Sequence, residues 1–137
     1  AVSSFLMGRG AQWRADAGID PTRPTREAAS QMLCGYLSRE HLGDRDSQCP
    51  MIALPSDVGR SNPEVQAAYQ RLLEAMVGLF ESSLEGPKRQ KRQTALTLAA
   101  LCVGGMVLAR TLPDSQLAEA VRDAAHTHGQ SMLELLD

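Results

Sequence analysis

The chain has 137 residues, of which 43% are apolar and 22% charged, with a formal net charge of −2. That length suits one domain burying roughly two thirds of its unfolded surface, and the balanced charge excludes whole-chain attraction to nucleic acid. The three cysteines, Cys34, Cys49 and Cys102, contain no CxxC pair. They do not make a secreted disulfide framework and point to a reducing cytoplasm.

The opening "AVSSFLMGRG" has no basic region and no long apolar stretch, so it is not a signal peptide. It also lacks an initiating Met, so the chain is expected to begin inside a longer or processed gene product. A first helix is expected over 2–17, with Val2, Phe5, Leu6, Arg9 and Trp13 on one stripe. "AGIDPTRP" breaks it. A second is expected over 24–38, with Ala29, Met32, Leu33, Tyr36 and Leu37 at helical spacing. "REHLGDRDSQ" reads as a polar loop, and "DSQCPMIAL" as its exit into a short helix over 50–59. There Pro50 suits the first turn, and Cys49 stands as the cap, facing N–H groups without partners inside the helix. A thiol so placed can have its pKa lowered, although a small residue at a tight corner serves equally well.

"RSNPEV" is a strong start signal, with Asn62 as cap, Pro63 at the first helical position and Glu64 in the first turn. The helix it opens is expected to last to about Leu84, burying Val65, Ala68, Tyr69, Leu72, Leu73, Met76, Val77 and Phe80. Further helices are expected over 88–112 and 114–136. No alternating β-branched run or Asn-Gly turn signals a strand. The expected fold is therefore all-α, an antiparallel bundle of about six helices.

Residues 93–112, "QTALTLAALCVGGMVLARTL", superficially suggest a helix-turn-helix, but a recognition helix needs several polar side chains past the turn. They read better as one helix that is apolar all round and buried on every side. The longest apolar run, 98–109, falls short of the ~20 residues a bilayer needs, so no membrane partner is expected. "PKRQKR" reads as a solvated helix start. Asp123 and His126 could share a helix face, yet no HExxH or Cys-His cluster supports a metal, and no metal or cofactor is expected. No GxSxG, phosphate loop or paired carboxylates indicate an enzyme. The one enzymatic alternative is a small thiol-dependent enzyme or electrophile sensor centred on Cys49, with His41 as its base if the loop folds back.

Two stretches carry a resemblance. "YLSREHLGDRDSQCPMIALPSDV" supplies Tyr36, Leu37, Ser38, His41, Cys49, Pro50, Ala53 and Leu54, and "LTLAALCVGGMVLAR" supplies Val103, Gly104, Leu108, Ala109 and Arg110. Together they resemble the C-terminal domain of TetR-family bacterial transcription regulators, over essentially the whole chain. Gln48 departs from the glycine usual before Cys-Pro, and the family's N-terminal helix-turn-helix domain is absent from this chain. The resemblance implies an effector-binding and dimerisation domain over 1–137, with pocket helices over 1–86 and dimerisation helices over 88–137. It implies a repressor that releases operator DNA when a small molecule binds, touching that DNA only through the N-terminal domain.

The expected pocket takes a small apolar or amphipathic effector and is bounded by Trp13, Met32, Tyr36, Cys49, Tyr69, Leu72 and Met76. The two tyrosine hydroxyls and Gln31 are expected to orient its polar group. The last two helices are expected to form an intersubunit four-helix bundle in a homodimer, through Leu101, Gly104, Gly105, Leu108, Leu117, Val121, Ala124, Ala125 and His128.

Overall fold

The computed structural model describes residues 11, 12, 14–16, 18, 25–43, 51 and 55–134. Among these residues there is no strand, and the fold is all-α. Six helices with defined bounds occur in order among the described residues: α1 Arg26–Tyr36, α2 Arg39–Gly43, α3 Pro55–Gly59, α4 Pro63–Ser82, α5 Lys88–Thr111 and α6 Ser115–Glu134. Residues 11, 12 and 14–16 of the expected first helix are also helical. The expected cap Cys49 and Pro50 lie outside the described residues.

Local chemistry sets the boundaries. α1 begins after Thr25, not at Pro24, because the extended Thr25 turns its hydroxyl back to accept the Ala28 N–H. The polar segment after it is not wholly a loop. Ser38 Oγ accepts the His41 N–H at 3.0 Å and starts α2. Asn62 caps α4 as expected, accepting the Val65 N–H at 3.0 Å with Pro63 in the first turn. Gly86 turns the chain into α5 with φ of 115°, a region open to glycine. Asp114 Oδ1 accepts from the backbone of Gln116 and Leu117 and opens α6.

The core forms where α1, α4, α5 and α6 meet. Leu33, Tyr36, Leu37, Met51, Phe80, Leu98, Met106 and Leu133 are fully buried there. α5 is the central helix, packed against both α4 and α6, and it runs unbroken through Gly104 and Gly105. Its burial corrects the expectation of a helix covered on every side. Ala95, Leu98, Ala99, Cys102, Gly105, Met106 and Ala109 are buried, whereas Leu108 is 57% exposed and Leu96 44%. By length and composition alone α5 would also suffice to cross a membrane, which the 98–109 run by itself would not. A core helix of a globular bundle has the same composition.

Candidate functional site

α4 and α5 face each other through stripes of unequal size. α4 presents Tyr69, Leu73 and Val77, and α5 presents Leu96, Ala99, Ala100, Val103 and Gly104. Bulky side chains on one helix opposite small ones on the other leave a gap that neither fills. With Met51 it forms an apolar groove of about 240 Å³. That is slightly under the ~300 Å³ at which ordinary small-molecule pockets begin, so the space suits a compact ligand.

Of the five expected pocket residues that lie among the described ones, Met32, Tyr36, Tyr69, Leu72 and Met76, Tyr69 alone lines this groove. Met32, Tyr36, Leu72 and Met76 are packed into the core. On α4 the reason is rotational: Ala68, Leu72 and Met76 point to the centre of the bundle, and Tyr69, Leu73 and Val77 lie one step round the helix. The side chains of Trp13 and Cys49 lie outside the described residues. The expected polar contacts also fall elsewhere. Tyr69 donates its hydroxyl to the Met51 carbonyl at 2.8 Å, which ties Met51 to α4, and Gln31 is exposed on α1. The groove wall is therefore almost wholly hydrocarbon.

Beside the groove an apolar stripe continues across α5 and α6. Leu101, Gly104 and Val121 are half-buried, Ala124 and His128 are exposed, and Leu117 is 50% exposed. Two members of the expected dimer set do not belong to it. Gly105 and Ala125 are buried and face each other inside the subunit, where a Cβ on Gly105 would stand 2.9 Å from Ala125 Cβ and 3.2 Å from Leu37 Cδ2. The missing side chain at Gly105 serves the approach of α5 to its own α6. Gly104 has nothing within 4 Å of its would-be Cβ and faces open space.

The buried polar groups are structural. His41 Nδ1 donates to the Tyr36 carbonyl at 2.7 Å, its ring stands edge-on to Tyr36 with centroids 4.9 Å apart, and its carbonyl accepts from the Arg110 guanidinium. His41 thus fastens the corner between α1 and α2. Arg122 donates to the Leu37 carbonyl at 2.9 Å and pairs with Glu119 at 2.9 Å. The hydrogen bond from Arg122, joined by one from Arg39, holds the Glu119 carboxyl below the usual carboxylate range. Cys102 is sealed in the core, where burial pushes its thiol well up. Among the described residues no three His, Cys, Asp or Glu side chains gather to hold a metal ion.

Apart from Tyr69, the groove residues escaped the sequence reading because bulky Leu73 and Val77 looked like ordinary core. The signal was the run of small residues at 99, 100 and 104 on the neighbouring helix, legible only once the two stripes are known to meet. Set against known protein families, curated proteins and solved structures, the chain matches none.

Proposed function

We propose that this chain is the effector-binding and dimerisation domain of a TetR-type transcriptional regulator. In this reading α5 and α6 pair with the same helices of a second copy as a four-helix bundle. A compact apolar effector occupies the groove between α4 and α5. Operator DNA is held by an N-terminal helix-turn-helix domain of the kind the family carries.

The observation that supports the reading is the double character of α5. One face is core, and the opposite face is apolar yet exposed, bordered on one side by the groove and on the other by α6. Gly104 belongs to both borders, since it lines the groove and stands in the stripe. A ligand that moves α5 at Gly104 therefore acts directly on the helix that meets the partner. Such a ligand must favour one arrangement of the dimer over the other, because equal affinity for both shifts nothing.

Anilinonaphthalene sulfonate, a fluorescent apolar anion, is a suitable probe of the groove. We expect saturable binding at one site per chain and a raised melting temperature, because a ligand of the folded state stabilises it. Ala100→Phe places a ring in the groove from an exposed position and abolishes that binding while helix content persists. Undiminished binding by the folded variant would contradict the assignment of the groove.

A further inference from the structure

Of the two cysteines among the described residues, the one whose thiol has a base beside it is Cys34, on α1. Cys34 is exposed, and its Sγ lies 3.2 Å from Nε2 of His126 on α6. Ser30 stands one turn earlier, with Oγ 3.9 Å from the same sulfur, and donates to Gln130 Oε1 at 3.2 Å. Three polar side chains from two helices, Ser30, His126 and Gln130, thus gather around one accessible sulfur.

Their separation is set by the packing beneath them. Leu33 and Leu37, on either side of Cys34 along the chain, are fully buried. Around His126, Arg122, Ala125 and Gly129 are buried as well. A Cβ on Gly129 would come within 2.7 Å of Leu33, and Arg122 donates to the Leu37 carbonyl, so α1 and α6 are in close contact on both sides of the pair. A nucleophile and a base held on rigid elements are the arrangement that activates a thiol. The pair also remains open in the proposed dimer. At 3.6 residues per turn, positions 126 and 130 lie on the opposite flank of α6 from 117, 121, 124 and 128.

We propose that Cys34 and His126 form a covalent capture site for soft electrophiles of the α,β-unsaturated carbonyl class. The neutral imidazole accepts the S–H proton at Nε2 as sulfur bonds to the β-carbon of the alkene. The alkene electron pair moves onto the carbonyl as an enolate, and the α-carbon then takes a proton back from the imidazolium. The thiol adds across the double bond, and no oxidant, reductant or leaving group takes part. Cys102 cannot compete, because it is buried and its thiol is held protonated.

The test is the rate of alkylation by N-ethylmaleimide, an α,β-unsaturated imide, read peptide by peptide by mass spectrometry on the native chain. Cys34 is expected to react much faster than Cys102. His126→Gln, which keeps a polar side chain but no base, should slow Cys34 about tenfold, less than the ~10²–10⁴-fold a general base usually contributes, because a free thiol is already a few per cent thiolate at neutral pH. A folded His126→Gln protein whose Cys34 reacts at the wild-type rate would overturn the proposal. A second comparison needs no variant: Cys34 in the native chain should react faster than in the same chain unfolded by urea. An equal or slower native rate would equally overturn it.

Discussion

At Gly129 a single added carbon has nowhere to go. A Cβ there would lie 2.7 Å from Cδ1 and 3.0 Å from Cδ2 of Leu33, which is itself fully buried and cannot swing aside. Gly105 is tighter in kind, since its nearest neighbour is the Ala125 Cβ, fixed to the backbone of α6. Relieving that contact means moving a helix. Alanine in place of a mid-helix glycine gains about 1 kcal/mol of helix propensity, whereas overpacking a close contact costs roughly 1–3 kcal/mol. We expect the packing cost to win at both positions. Urea unfolding should show Gly105→Ala and Gly129→Ala each less stable than the wild type, and an unchanged or raised midpoint would refute the close approach. From the sequence, both Gly104 and Gly105 are expected at the dimer interface, because a lone sequence does not say whether a glycine's close neighbour belongs to the same subunit.

Between elements, the contact with most at stake joins the end of α1 to α6. Arg122 is buried, donates to the Leu37 carbonyl and is paired with Glu119, which also receives Arg39 at 3.1 Å. The folded-state pKa of Glu119 is depressed, chiefly by the hydrogen bond from Arg122. Its contribution to stability is therefore complete above the ordinary glutamate value of ~4.3 and disappears as the pH falls through the lowered folded value. Glu119→Gln should lower the melting temperature at neutral pH, with the deficit closing on acidification. A deficit that stays constant or widens in acid would contradict this role. The elements themselves were largely legible: Asn62-Pro63-Glu64 marks the start of α4, and hydrophobic spacing marks α1, α4 and α6. α2 was not, because five residues show no period and only the Ser38 cap starts them. Nor was the Cys34–His126 pair, whose members lie far apart in the chain and meet only through the packing of α1 on α6.

For the whole molecule, the exposed apolar face of α5 and α6 is the feature a lone subunit explains least. Leu108 and Leu117 are 57% and 50% exposed on helices joined by a short turn, with Leu101 farther back along α5 and Val121 and Ala124 farther along α6. Contiguous apolar surface is commonly an interface, and in the proposed dimer a two-fold pairing of both helices closes it with one self-complementary patch. Gly104, not Gly105, is the glycine that faces outward, so it is the one where a partner helix can approach closely. Sedimentation equilibrium at micromolar concentration decides whether a second copy covers this face. The expected mass is twice that of the 14.8 kDa chain, reduced to that of a single chain by Leu108→Glu without loss of helix content. A well-folded wild-type species at 14.8 kDa would contradict it.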